Sequence, residues 1–251
     1  NKSIPDNAVS GTTWSDAYIG SIIGVPPHFG IGATTTFTKF DTSSLQPLLD
    51  LFGVSTPIPG MPLPAYAVEA RVGGLILPFD VGARFGYLPS TTISGITIDY
   101  LTFGADVRFC LMEEGIIKPD ISIGAGYYYE KFGLSYTYTP TLNYGGYNAT
   151  LAPLTVTVGT STNIFDFKAQ LSKSLLIFTP YIGIAESVAL SNSTYDFAGF
   201  FNGSRDSGTV YGTRVYGGLS LNILLLKINL SGSYNFINEN WGLNAGLRVQ
   251  L

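Results

Sequence analysis

The chain has 251 residues, of which only 12% are charged, with a net charge of −4 at pH 7, 14% aromatics and a mean hydropathy of +0.27. No uncharged apolar run reaches about 18 residues, which excludes a transmembrane helix, and the few charges form no basic patch, which argues against nucleic acid as a partner. One cysteine, Cys110, and one histidine, His28, leave no internal disulfide, no His cluster and no His-dependent triad, so no metal, cofactor or enzymatic activity is expected.

Residues 1–13 are polar, with Pro5 and Gly11, and read either as an arm or as a first strand. From Trp14 the residues alternate, Ala17, Ile19 and Ser21 against Asp16, Tyr18 and Gly20, a period of two that predicts a strand ending at Pro26-Pro27. Phe29, Ile31, Ala33, Thr35 and Phe37 continue as the next strand. The connection 41–64 then holds Leu45, Leu48, Leu49 and Phe52 at helical spacing before Gly53, which predicts a short amphipathic helix in an outer loop.

The stretch from Tyr66 to Tyr87 shows the rule of the chain most clearly. Val68, Ala70 and Val72 alternate with Glu69 and Arg71; after the break at Leu77-Pro78, Phe79, Val81, Ala83 and Phe85 alternate with Asp80 and Arg84. That is a hairpin with one apolar and one charged face. Following a short loop around Pro89, Leu101 to Leu111 alternates with Asp106 and Arg108, and Ile121 to Tyr129 returns. Beyond a loop at 143–153 the apolar parity changes, from Leu154, Val156 and Val158 to Phe165, Phe167 and Ala169, which predicts a bulge near Gly159; Asp166 and Lys168 take the polar side. The stretch from Tyr181 to Leu190 is ambiguous, because Ile182, Ile184 and Val188 share parity with Glu186. A long loop, 191–207, precedes three more alternating segments, whose polar faces carry Arg214 and Arg248.

Eleven alternating segments, closed with both ends on one side, favour an even count, so residues 1–251 are expected to form one all-β domain, a transmembrane antiparallel up-and-down barrel of about 12 strands (range about 10–14). Alternation alone suits a soluble sandwich equally well. Membrane residence follows from three further features: short connections alternate with mostly longer ones, the polar faces are rich in Gly, Ser and Thr, and Tyr, Phe, Trp14 and Trp241 gather near strand ends, where aromatic girdles belong. An arginine facing lipid near mid-bilayer costs about 2–4 kcal/mol. Arg71, Arg84, Arg108, Lys168, Arg214 and Arg248 should therefore point into the lumen, where Glu69, Asp80, Asp106, Glu130 and Asp166 offset their desolvation.

The segments WSDAYIG (14–20), VPPHFGIG (25–32) and AYAVEARVGGLILPFDVGARFGY (65–87) resemble a branch of small bacterial outer-membrane barrels related to the long-chain fatty-acid transporters. The resemblance implies an outer-membrane channel or transporter for hydrophobic or amphipathic small molecules, with Leu45, Leu48, Leu49 and Phe52 as a candidate hydrophobic gate. The chain departs from the larger transporters of that type, which carry an N-terminal hatch that plugs the lumen, in that only about 13 residues precede Trp14 here.

The charge pairs Glu69/Arg71, Asp80/Arg84, Asp106/Arg108 and Asp166/Lys168 would serve as a selectivity constriction or as a network that stiffens the lumen. The short turns are unusually apolar, as at Ile116-Ile117, Leu175-Leu176 and Leu224-Leu225, and would lie in the membrane interface or dock a periplasmic protein. The expected partners are thus membrane lipids, a hydrophobic small-molecule ligand and a periplasmic protein, for a monomer. The alternative function is a structural or host-interacting barrel with a closed lumen and no transport.

Overall fold

The structure is a computed structural model that describes Asp6, Val9, Thr12 and residues 14–19, 28–39, 62–74, 78–93, 96–139, 141–144, 147–150, 152–197 and 201–251. In chain order the strands are β1 (His28–Lys39), β2 (Pro62–Gly73), β3 (Phe79–Ile93), β4 (Ile96–Met112), β5 (Asp120–Tyr138), β6 (Thr141–Tyr144), β7 (Tyr147–Thr150), β8 (Leu154–Ser172), β9 (Phe178–Phe197), β10 (Phe201–Ile223), β11 (Leu226–Asn235) and β12 (Asn240–Gln250). Ten of them close an antiparallel barrel in sequence order, with β12 returning to β1 from Gly30↔Gln250 to Thr38↔Gly242. The small hairpin β6–β7 stands outside it, in the connection between β5 and β8.

The barrel therefore has ten strands where about twelve were expected. The stretch 14–19, which alternates like a strand, pairs with no neighbour in the barrel. It lies inside, with Trp14, Ala17, Tyr18 and Ile19 all buried. Without it the eleven alternating segments become ten, already an even number, and no twelfth is needed. Alternation misled here because it records only the order of side chains: Ser15 and Asp16 are buried inside the lumen as fully as Ala17 and Ile19, and neither parity of this segment faces lipid.

Long connections at 40–61 and 139–153 mark the outer end of the barrel, and the turns at 113–119, 173–177 and 224–225, with Leu251, mark the periplasmic end. The described residues of the N-terminal segment, Asp6, Val9, Thr12 and 14–19, are spread through the lumen between them. Asp6 sits beside Asn235, Asn238 and Asn240 at the outer end, Thr12 beside Asn229 and Asn244, and Ile19 beside Asp80 near the periplasmic end. The expected arm or first strand at 1–13 thus contributes Asp6, Val9 and Thr12 to the interior. Two wall glycines make room for this strap: a Cβ on Gly73 would collide with the Ile19 carbonyl, and one on Gly30 would press on the Trp14 ring.

Period two sorts the wall into two faces. Phe85 (54% exposed) and Phe103 (45%) point outward with Phe29, Ile31, Val107, Phe167, Ile184 and Leu247, an apolar belt facing acyl chains. Inside, the two halves differ. The outer half on the β2–β5 side holds an apolar cluster of Ala65, Leu88, Ile98, Tyr100, Phe132 and Leu134. The periplasmic half holds the charges.

Four local expectations change. β8 runs in unbroken register against β5 and β9, so there is no bulge at Gly159; Val156 and Ile164 simply face inward, where the lumen itself has an apolar lining. Residues 191–207 are no long loop, because β9 and β10 stay paired as far as Phe201↔Phe197, with one irregularity between Asp206 and Gly208, the latter at φ +83°. Pro89 lies within β3 at a register shift between Leu88 and Thr91, as suits a residue with no N–H to donate. Trp14 belongs to the lumen, not the girdle; Trp241 keeps an outward position. The expected helix at Leu45, Leu48, Leu49 and Phe52 lies outside the described residues.

Candidate functional site

The polar sides of β2, β3, β4, β8, β10 and β12 bring Glu69 and Arg71, Asp80 and Arg84, Asp106 and Arg108, Asp166 and Lys168, Arg214, and Arg248 into one lumenal layer, since residues two apart on a strand share a face. All of these are buried except Lys168, which is partly so. Their ion pairs run between strands rather than along them. Arg71 joins Asp80 to Asp106, with Nη2 at 2.6 Å from the latter, and Arg108 forks onto Asp80 through Nε (2.9 Å) and Nη2 (2.7 Å). Lys168 reaches Asp106 at 2.8 Å, Arg214 reaches Asp166 at 3.3 Å and Arg84 reaches Glu69 at 3.4 Å. Five strands, β2, β3, β4, β8 and β10, are thereby tied together, and each buried charge gains the counter-charge that its desolvation demands.

The strap is fastened to this layer at both main chain and side chain. Asp16 accepts from Arg248 Nη2 (2.6 Å) and Lys227 Nζ (2.7 Å), while its carbonyl accepts from Arg108 Nη1 (2.7 Å). Gln170 donates to the carbonyls of Trp14 (3.1 Å) and Ser15 (2.9 Å). The Ala17 N–H donates to Ser172 Oγ (2.8 Å), the Ala17 carbonyl accepts from Ser122 Oγ (2.6 Å), and the Ile19 N–H donates to Asp80 Oδ2 (3.0 Å). The guanidinium groups of Arg71 (5.6 Å) and Arg248 (5.0 Å) both lie over the Trp14 ring, a double cation–π contact. Between strap and charge layer remains a cavity of about 60 Å³, bordered by Thr12, Trp14, Arg84, Lys168, Tyr128 and Tyr216.

Sequence reasoning missed Asp6, Asp16, Gln170, Lys227 and the lumenal Asn229, Asn235, Asn240 and Asn244. The available signal was a run of asparagines on the inward parity of β11 and β12, amides with both donors and acceptors and no strand partner to use them. The candidate gate at Leu45, Leu48, Leu49 and Phe52 falls outside the described residues. At the periplasmic end Ile116 and Leu176 are fully exposed and Leu224 is 97% exposed, the last two at positive φ in tight turns.

Residues 17–251 match the family described as Family of unknown function (DUF6588). No curated protein matches the chain in sequence. Among solved structures, the outer membrane protease OmpT from Escherichia coli superposes with a TM-score of 0.51 at 9% identity, over 92% of this chain and 100% of that one. The translocator domain of the autotransporter NalP from Neisseria meningitidis gives 0.46 at 8% identity, over 89% and 87%. An outer membrane channel from Pseudomonas putida F1 gives 0.36 at 12% identity, over 91% and 97%. The likeness to OmpT is one of fold, and the fatty-acid transporter resemblance gains no support from these comparisons. With its apolar outer belt and closed strand cylinder, the molecule is a bacterial outer-membrane β-barrel.

Proposed function

The chain belongs to the family of unknown function DUF6588, and from that premise we propose that it is a gated outer-membrane channel for small anionic or amphipathic molecules, held shut by its own N-terminal strap. The observation that carries this reading is the manner of closure. The strap blocks the charged layer through hydrogen bonds and ion pairs from wall side chains, contacts that water can replace, at about 0.5–1.5 kcal/mol for each neutral hydrogen bond and about 1.5–3 kcal/mol for each one to a charged group. Around the cavity five cations, Arg71, Arg84, Arg108, Lys168 and Arg214, face three carboxylates, Glu69, Asp106 and Asp166, with Asp80 behind Arg71 and Arg108 as a fourth, and the single cation in excess favours an anionic group. The apolar cluster above it suits a hydrocarbon tail, and a long-chain fatty acid combines the two features. No enzymatic step and no cofactor enter this reading.

Single-barrel conductance in planar bilayers tests it. The native protein should be mostly closed, and Asp16→Ala, which leaves Arg248 and Lys227 without the strap carboxylate, should open often with anions carrying more current than cations. If Asp16→Ala conducts no more than the native barrel while the strap is displaced, the channel reading fails.

A second reading, a closed barrel that acts through its outer surface, draws on the height of the β9 and β10 walls. These strands run to 20 and 23 residues, against about 9–11 needed to cross a bilayer, and their outer ends expose Asn192, Thr194 and Asp196. It becomes the better account if no condition yields passage.

A further inference from the structure

One ionisable side chain stands on the wrong side of the wall. On β9 the outward positions are Phe178, Pro180, Ile182, Ile184, Glu186, Val188 and Leu190, so the Glu186 carboxylate projects from the apolar belt toward lipid. Its row neighbours are Phe167 on β8 and Thr213 on β10, and its Oε2 accepts a hydrogen bond from Thr213 Oγ1 at 2.9 Å. Among the described residues no cation pairs with it. An ionisable group in such a place is costly and marks a site that meets a specific partner.

Beside Glu186 the outer wall is dented. A groove of about 530 Å³ is walled by Phe109, Ile123, Phe167 and Ile184 and floored by the small Ala125 and Ala169, and Glu186 borders it. On β9 the carboxylate is the groove residue nearest the outer end, and Tyr211, a highly exposed girdle residue on β10, lies two pairs further along, opposite Val188. The order from outside inward is therefore tyrosine, carboxylate, apolar trough. That is the order of headgroup and acyl chain in a lipid of the outer leaflet.

We propose that this groove binds a membrane lipid with a primary ammonium headgroup, its acyl chain lying over Ala125 and Ala169 and its ammonium paired with Glu186. The charge selects the occupant. A divalent cation takes six or more oxygens, and Glu186 and Thr213 together offer three side-chain oxygens. A second copy packed about a two-fold axis through this face would bring two Glu186 carboxylates toward each other, because such interfaces present the same patch twice. An ammonium lipid supplies both the missing positive charge and the apolar surface.

Native mass spectrometry of the detergent-purified barrel, mixed with equal amounts of phosphatidylethanolamine and phosphatidylglycerol, tests the assignment. The native protein should retain the ethanolamine lipid about fivefold over the glycerol lipid, the scale of one interfacial ion pair. Glu186→Gln should abolish that preference, and Ala169→Leu, which fills the floor of the groove, should reduce retention of both lipids. Equal retention by the native protein, a preference that survives Glu186→Gln, or a Glu186-dependent dimer in place of lipid adducts would overturn it. Neither substitution touches the strap, so conductance and lipid retention fail independently.

Discussion

The strap at 14–19 and strand β1 are nearly consecutive in the chain and alternate alike, yet they are held in opposite ways. Every residue of β1 from Gly30 to Thr38 pairs through its backbone with β2 on one side and β12 on the other, so β1 cannot leave without opening the barrel. The strap borrows its partners from side chains, the amide of Gln170, the hydroxyls of Ser122 and Ser172, the carboxylate of Asp80 and the guanidinium of Arg108. Groups of that kind accept water in exchange. The wall is thus a permanent structure, and the strap is a removable one inside it.

The largest effect should come where the two meet. Arg108 pairs with Asp80 in the wall and with the Asp16 carbonyl in the strap, so Arg108→Ala should cost about 3–5 kcal/mol, the scale of a broken buried ion pair. Urea unfolding in lipid vesicles should show the lowered midpoint, and bilayer recordings should show current. Phe103→Arg separates the two effects, because it places a cation against lipid and should cost about 2–4 kcal/mol of barrel stability while leaving the lumen closed. Gln170→Ala does the reverse. Losing two hydrogen bonds to strap carbonyls is worth about 1–3 kcal/mol, which should appear as faster hydrogen exchange of the strap amides with the barrel's unfolding midpoint unchanged. Smallest of all, Leu224→Ser in an exposed periplasmic turn should shift stability by no more than about 0.5 kcal/mol; a larger change would mean that this apolar rim is embedded in lipid.

Much of the wall was legible in the sequence because lipid and lumen impose opposite demands every second residue. Arg84 and Phe85 each cost several kcal/mol on the other's face, and so parity alone sorts them. The strap was illegible for the same reason: Asp16 and Tyr18 alternate with Ala17 and Ile19 just as wall residues do, and nothing local distinguishes a backbone paired with another strand from one paired with Gln170 and Ser172. The lengths of β9 and β10 were missed because their outer ends carry Asn192, Thr194 and Gly208 in place of apolar residues, which read as loop although the backbone pairing continues. The awkward parity of Glu186, by contrast, was visible from the start, and the structure keeps it on the lipid side.

A removable strap inside a fixed wall is tested most directly by tying the one to the other. In a Cys110→Ser background, Ala17→Cys and Ser122→Cys place two thiols where the Ser122 hydroxyl donates to the Ala17 main-chain carbonyl at 2.6 Å. The two thiols should form a disulfide in the membrane-inserted barrel, hold the current of an otherwise open Asp16→Ala barrel at zero, and release it on adding reductant. A correctly inserted barrel that forms no such disulfide, or that conducts equally with the disulfide closed and reduced, would contradict the account.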